Sequence, residues 1–277
     1  MKNIQFTKMD GAGNDFMVID GITQKIDLEP SQIRTLSDRK KGIGFDQLLL
    51  LESSKKPGID FNYRIHNADG SEAEQCGNGA RCLYLFVKNK QLCSKTEIKV
   101  ETKNSVMTIK DGPDEAITVD MGFPELSPSK IPFKASRKKS FYQLPIGKEN
   151  IKIGAVSMGN PHAVQIVENV NLAPVLTQGP VIEKHDFFPN SCNAGFVEII
   201  NKNHISIRVW ERGVGETLSC GTGACAAAAI SIIWGLARSP VLVSTRGGQL
   251  TVNWSDQSQN LLLTGPARQV FCGEISI

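Results

Sequence analysis

The 277-residue sequence predicts an α+β protein made of two pseudo-symmetric domains from an internal duplication, each a curved, mostly antiparallel sheet wrapped around a central helix. Three observations predict it. Two segments match at a constant offset of 144 residues, each contains a run in which apolar residues alternate with period two, and each run leads to a Cys-Gly-x-Gly turn after which the apolar spacing becomes helical. The anchor of the repeat is Cys76-Gly77-Asn78-Gly79-Ala80, which returns as Cys220-Gly221-Thr222-Gly223-Ala224. The same offset aligns Arg64 with Arg208, Ile65 with Val209, Asn67 with Glu211 and Glu72 with Glu216. Gly13-Asn14-Asp15-Phe16 corresponds to Gly159-Asn160-Pro161-His162 at an offset of 146, which a two-residue indel reconciles.

The elements follow in chain order. Phe61, Tyr63 and Ile65 alternate with polar residues as in a half-buried strand, and Ile205, Ile207 and Val209 do the same in the second copy. After the first cysteine, Ala80, Leu83, Tyr84 and Val87 share one helical face. After the second, Ala224 to Ala237 is apolar almost all round, so that helix must be covered on every side. Short strands supply the cover: Thr96 to Thr102, Ser105 to Lys110 and Ala116 to Met121, then Ala163 to Val167, Gly195 to Ile200 and Leu250 to Trp254. The Pro-rich stretch containing Pro124, Pro128 and Pro132 marks the crossing between the halves.

Composition narrows the function. With 31 basic and 28 acidic residues the net charge is +3, and no charge block exceeds Arg137-Lys138-Lys139, so there is no electrostatic case for a nucleic-acid partner. The longest weakly polar stretch falls short of the ~20 residues of a membrane span. The start, Met1 to Phe6, lacks the pattern of a secretory signal, so a cytoplasmic location is expected. Seven cysteines in a reducing compartment need form no bridges. They contain no Cys-x-x-Cys pair, and His66, His162, His185 and His204 do not cluster at ligand spacing, so no metal site is expected.

A cysteine directly before a helix-opening glycine pair is chemically distinctive. The first N–H groups of a helix lack internal acceptors and the helix end is partly positive, so an adjacent thiolate is expected to be stabilised and its pKa lowered. The glycines allow a tight turn and close approach, so the same N–H groups can hold a substrate carboxylate. A lone cysteine there is as readily a small core residue. Duplication favours function, since Cys82, Cys93, Cys192, Cys225 and Cys272 have no partner at the 144 offset. Two symmetric thiols suit an enzyme that inverts a carbon centre, one removing a proton while the other returns one on the opposite face.

Gly13-Asn14-Asp15-Phe16, Asn67-Ala68-Asp69-Gly70-Ser71, Glu74-Gln75-Cys76-Gly77-Asn78-Gly79-Ala80-Arg81-Cys82, Gly159-Asn160-Pro161-His162, Asn193-Ala194-Gly195, and Glu211-Arg212-Gly213 followed by Cys220 to Ala224 together resemble the diaminopimelate epimerase family, nearly end to end. The resemblance implies halves at 1–121 and 122–265, strand 266–277 returning to the first, and an active site in the cleft between them. It implies interconversion of LL- and meso-2,6-diaminopimelate with no cofactor, neither pyridoxal phosphate nor metal, on the way to lysine and peptidoglycan precursors. By position, Cys76 and Cys220 are the acid/base thiols, and the backbone at Gly77, Asn78, Gly221 and Thr222 cradles the reacting carboxylate. Asn14, Gln47, Asn67, Asn160, Asn193, Glu211 and Arg212 complete the substrate shell, and His162 and Glu211 help set the thiols' protonation. The sequence departs from the family pattern at Asp10, where a histidine is common, and at His66, where an aromatic is usual. Phe271 aligns with a tyrosine at dimer contacts, so a homodimer is expected.

Other patterns compete. Gly221 to Ala226 fits Gly-x-Gly-x-x-Ala, but a polar loop precedes it and no acid follows at about 20 residues, against a dinucleotide site. Cys76 to Arg81 is one residue short of a thiol phosphatase loop. Asn67 and Asn193 could merely cap turns, and His162, at the edge of an apolar strand, could be structural. Two further functions stand beside the epimerase: a racemase of another amino acid such as proline, and a thiol redox or binding protein that turns nothing over.

Overall fold

In the computed structural model, which describes residues 3–73, 76–103 and 105–277, the chain forms two units. One runs to Asp120 and takes in Thr264–Ile277; the other is Met121–Leu263. Met1 and Lys2, read for a leader pattern, and Glu74 and Gln75, part of the first cysteine motif, lie outside the described residues.

The first unit contains β1 (Asn3–Gly11), β2 (Asn14–Asp20), α1 (Pro30–Ser37), β3 (Gln47–Ser53), β4 (Phe61–Asn67), β5 (Glu72–Ala73), α2 (Gly77–Asn89), β6 (Glu97–Glu101), β7 (Val106–Asp111) and β8 (Ile117–Asp120). The second contains β9 (Tyr142–Ile146), β10 (Glu149–Ser157), β11 (Pro161–Ile166), α3 (Val175–Glu183), β12 (Asn193–Asn201), β13 (His204–Glu211), β14 (Gly215–Thr217), α4 (Gly221–Ile233), β15 (Val241–Thr245) and β16 (Gly248–Asn253). Strand β17 (Leu262–Gly265) returns the chain to the first unit, where β18 (Arg268–Ser276) pairs antiparallel with β1.

The two units repeat one topology. In the first, β1 and β2 form a hairpin, β3 joins β2 in parallel, β4 runs antiparallel to β3 and also pairs with β5, and β6 joins β4 in parallel before β7 and β8 follow antiparallel. In the second, β10, β11, β12, β13, β14, β15 and β16 repeat the same senses in the same order. Parallel neighbours need a crossover, and each parallel pair has one: α1 between β2 and β3, α2 between β4 and β6, α3 between β11 and β12, α4 between β13 and β15. The ion pairs repeat too. Arg64 on β4 lies 3.6 Å from Glu72 on β5, and Arg208 on β13 lies 2.6 Å from Glu216 on β14.

Period-two alternation sends neighbouring side chains to opposite faces of each sheet. In the first unit Ile4, Met17, Ile19, Leu48 and Leu50 pack with Ile33 and Leu36 of α1. Leu49 and Tyr63, on the other face, border Gly79 of α2. Capping begins α1: Pro30 occupies its first turn, and the Gln32 side chain accepts from the Glu29 backbone N–H at 2.9 Å. In the second unit Ile153, Ala155, Ala163, Ala194 and Phe196 pack with Val175 and Ile182 of α3, while Gly154 between them comes so close to Ile230 of α4 that a Cβ would approach it to 2.6 Å.

Each half therefore has the predicted central helix, α2 or α4, on one face of its sheet, and a second helix, α1 or α3, on the other. The apolar run read as Ala224 to Ala237 starts three residues earlier, at Gly221, and its helix ends at Ile233, where the Trp234 N–H closes onto Ile230 O. Residues 221 to 231 of α4 are all buried, as a helix without a polar face requires. Among the described residues no helix is long and apolar enough to cross a membrane.

Candidate active site

In each unit the residues singled out by sequence gather at one end of the strands, beside the N-terminus of the inner helix. Asn14 opens β2, Gln47 opens β3, Asn67 closes β4 and Cys76 precedes α2. Correspondingly, Asn160 sits just before β11, Asn193 opens β12, Glu211 closes β13 and Cys220 precedes α4. Registers match: Gln47 stands beside Phe16 across the parallel β2–β3 pair, and Asn193 beside His162 across β11–β12. Gly13 and Gly159, with φ of 87° and 89°, take the left-handed conformation that places the following asparagine.

Both cysteines are helix N-caps. Their backbones are extended, and their sulfurs accept from the third helical N–H, Gly79 N at 3.3 Å and Gly223 N at 3.4 Å. The next N–H of each helix, at Ala80 and Ala224, bonds the cap's own carbonyl. The opening N–H groups of the two helices, at Gly77, Asn78, Gly221 and Thr222, are those that a helix does not use internally. The reason for the second glycine of each motif is space, not the tight turn expected from sequence: neither Gly79 nor Gly223 has a positive φ. A Cβ on Gly79 would meet the Tyr63 hydroxyl at 2.3 Å, and one on Gly223 would meet Val209 at 2.9 Å and the Cys220 sulfur at 3.2 Å.

The electrostatics of Cys220 overturn the expectation of a readily ionised thiol there. Cys220 is 5% exposed, and its sulfur donates to Glu211 Oε2 at 3.1 Å. Burial first, then the negative charge of Glu211, pushes this thiol well above its ordinary range, and the Thr222 and Gly223 donors do not offset them. Cys220 is thus held as a thiol with a carboxylate against it. The other carboxylate oxygen of Glu211 accepts from Thr217 Oγ1.

In the first unit, a chain of hydrogen bonds fixes the amides. Buried Arg81 donates to Asn78 Oδ1 at 2.9 Å, Asn78 Nδ2 donates to Asn14 Oδ1 at 2.9 Å, and Asn14 Nδ2 donates to Asp46 Oδ2 at 2.8 Å. Arginine only donates and carboxylate only accepts, so both amide orientations are determined. Arg39 bridges Asp46 to Asp15, which also holds Lys8. Burial alone would raise the Asp15 carboxyl, but the Arg39 and Lys8 hydrogen bonds outweigh it and bring it down to about 2. Gln47 Nε2 donates to Asn67 Oδ1 at 2.9 Å, and Asn67 Nδ2 to Ser71 at 3.1 Å.

In the second unit Asn193 Nδ2 donates to Pro161 O at 3.1 Å and its Oδ1 accepts from Arg212 N at 2.9 Å. Glu183 accepts from Gly213 N and Trp210 Nε1, so the turn bearing Arg212 is tied down on both sides. The Arg212 side chain is exposed and donates to Asn190 O at 3.2 Å. His162 is fully buried, with Nε2 against Asn160 Oδ1 at 2.9 Å and, among the described residues, no partner at Nδ1. Burial, and then the charge of Arg212, lowers its pKa to about 3, so it is a neutral imidazole.

Sequence reasoning did not single out Arg81, Asp46, Arg39, Glu183 or Tyr63. Of these, Arg81 carried a signal: an arginine among the core-facing residues of a helix, buried here because Asn78 and Pro266 O accept from it. Among the described residues no group of three His, Cys, Asp or Glu side chains is placed to hold a metal ion.

A family model described as diaminopimelate epimerase matches residues 6–127 and 154–270. A protein named diaminopimelate epimerase from Aromatoleum aromaticum is 52% identical over 275 residues, covering 99% of both chains. One of the same name from Pseudomonas aeruginosa is 48% identical over 274 residues, again covering 99% of both. Among solved structures, a hydroxyproline epimerase from Agrobacterium vitis with bound trans-4-OH-L-proline shares the fold, with a TM-score of 0.71 over 99% of this chain and 92% of its own at 16% identity.

Proposed function

The chain belongs to the diaminopimelate epimerase family, and from that membership we propose that it interconverts LL- and meso-2,6-diaminopimelate by proton transfer between two thiols, Cys76 and Cys220. One observation carries the chemistry: each copy of the duplicated unit places a cysteine as the N-cap of its inner helix.

In this reading one sulfur stands on each face of the reacting α-carbon. One sulfur, as thiolate, removes the α-hydrogen, and the other, as thiol, delivers a proton to the opposite face; in the reverse direction the roles exchange. Neither pyridoxal phosphate nor metal takes part. The negative charge that develops on the reacting carboxylate is met by the opening N–H groups at Gly77, Asn78, Gly221 and Thr222 and by two helix N-termini. These donors are fixed in place before substrate arrives, so no reorganisation opposes them in the transition state.

Glu211 serves Cys220. Its carboxylate accepts the thiol's hydrogen bond, so it can take that proton when Cys220 acts as base and keeps the thiol protonated when Cys220 acts as acid. His162 is a neutral hydrogen-bonding group whose Nδ1, without a partner among the described residues, serves the substrate or the thiols. Asn14, Gln47, Asn67, Asn160, Asn193 and Arg212 hold the distal amino-acid group, the guanidinium suiting its carboxylate and the amide oxygens its ammonium. The requirement for reduced thiols suits a cytoplasmic enzyme of lysine and peptidoglycan precursor synthesis with a small molecule as partner, and with neither nucleic acid nor membrane. Val270 and Phe271 on β18, each about half exposed, support a homodimer through that strand.

The test is substrate choice. Reduced protein incubated with LL-diaminopimelate in deuterated water is expected to yield meso product carrying deuterium at one α-carbon, and to leave proline unexchanged. Exchange of proline alone would replace the reading with a racemase, and exchange of neither would leave a thiol protein that turns nothing over.

A further inference from the structure

The two thiols stand in unlike surroundings. Glu211, beside Cys220, has Asn67 as its counterpart in the first unit. Conversely Tyr63 on β4, fully buried, corresponds to Ile207 on β13, so among the described residues only the first unit has a phenol at this place. Among the described residues the Tyr63 hydroxyl has no hydrogen-bond partner. A buried hydroxyl left unpaired is costly and calls for an explanation.

Its position supplies one. Tyr63 Oη and Cys76 Sγ border the same point, the place a Cβ would take on Gly79 in the first turn of α2. A methyl built there would lie 2.3 Å from the phenol oxygen, 3.3 Å from Leu49 and 3.4 Å from the sulfur. The absent side chain of Gly79 is what lets the phenol reach this end of the helix. A neutral thiol is a weak acceptor and leaves the phenol without a partner, whereas a thiolate is a strong one. Burial, and the nearby Cys76 and Cys82, keep the phenol from ionising, so it remains a donor. Among the described residues the other titratable group acting on the phenol is Cys82 on α2, which itself has Arg81 and, on β1, Asp10 nearby. Burial pushes the Cys82 thiol far up despite Arg81, so Cys82 does not compete as a thiolate.

We propose that Tyr63 is a positioning residue for Cys76, its hydroxyl donating to the sulfur when Cys76 is the thiolate and thereby fixing and stabilising that form. The proposal deepens the epimerase reading and rests on it for the kinetic part of its test.

The test is Tyr63→Phe, which keeps the ring and removes the orphaned oxygen, so the melting temperature is expected to hold or rise. Alkylation of Cys76 by iodoacetamide, in which the thiolate displaces iodide, is followed across pH by mass spectrometry of the Cys76 peptide. The alkylation midpoint is expected to move up by about one pH unit, a roughly tenfold loss of thiolate at any pH below it. Turnover of LL-diaminopimelate should lose kcat with little change in KM. The same midpoint shift should persist when Tyr63→Phe is made beside Cys82→Ala. An unmoved midpoint overturns the proposal, as does a shift that vanishes with Cys82, since the phenol would then serve the wrong sulfur. Absence of turnover by the unmodified chain would sink the epimerase reading, whereas the alkylation result judges the phenol by itself.

Discussion

Cys76→Ala and Cys220→Ala are each expected to lower epimerisation by ~10²- to 10⁴-fold, the contribution of one positioned acid or base. The fold should survive both changes. Each cysteine is an N-cap, and losing a cap side chain costs about 1 kcal/mol, small against the burial that holds α2 and α4 in place. Serine at either position separates the two roles. Its hydroxyl is among the best N-caps, so Cys76→Ser and Cys220→Ser should recover any stability lost in the alanine variants. Its pKa is far too high for it to replace a thiol as base, so activity should stay near the alanine level. Wild-type rates in any of the four variants would contradict the two-thiol scheme, and circular dichroism with thermal melts would show whether a loss is merely unfolding.

Glu211→Gln is expected to lower kcat/KM by about 10²-fold, at the lower end of acid–base contributions. Glutamine keeps the shape and an acceptor for Thr217 but cannot receive the Cys220 proton. The loss should be equal for the LL and meso substrates, because no variant can move the equilibrium between them. The same substitution removes a negative charge that raises the Cys220 pKa, so alkylation of Cys220 should begin at lower pH than in the unmodified chain. Burial, the larger cause, remains, so the midpoint should still lie above that of an ordinary cysteine. A variant with full activity, or a Cys220 midpoint that moves up, would show that Glu211 does not act on this thiol.

Repetition made the centre of the fold readable in sequence. An offset of 144 residues pairs Cys76 with Cys220 and Arg64 and Glu72 with Arg208 and Glu216, and in three dimensions the latter are two equivalent ion pairs between equivalent strands. Period-two runs mark β4 and β13 because one face of each is buried. What repetition cannot show is contact between residues far apart in sequence. Asp46 meets Asn14 across 32 residues because α1 brings β3 alongside β2, and no local pattern announces it. The outer helices are hidden for a related reason: α3 has Gly179 and Pro180 in its middle, a pair that reads as a break, and it forms because Val175 and Ile182 bury against the sheet.

Electrostatics was the least legible part. A helix N-terminus argues for a lowered thiol pKa, and for Cys220 that argument loses to burial and to a carboxylate brought in from β13. Similarly, Tyr63 reads as one more apolar member of an alternating strand; only its hydroxyl, unpaired among the described residues and beside Gly79, sets it apart.

The distribution of solvent label during the first few per cent of reaction tests the two-thiol account most directly. With LL-diaminopimelate in deuterated water, a thiol on each side of the carbon predicts deuterium in newly formed meso product and none in the LL compound recovered at the same time. The proton taken by one sulfur can return only to the face it left, and the label arrives only from the other. Deuterium appearing equally in both pools would mean that a single base serves both faces, and would contradict the account.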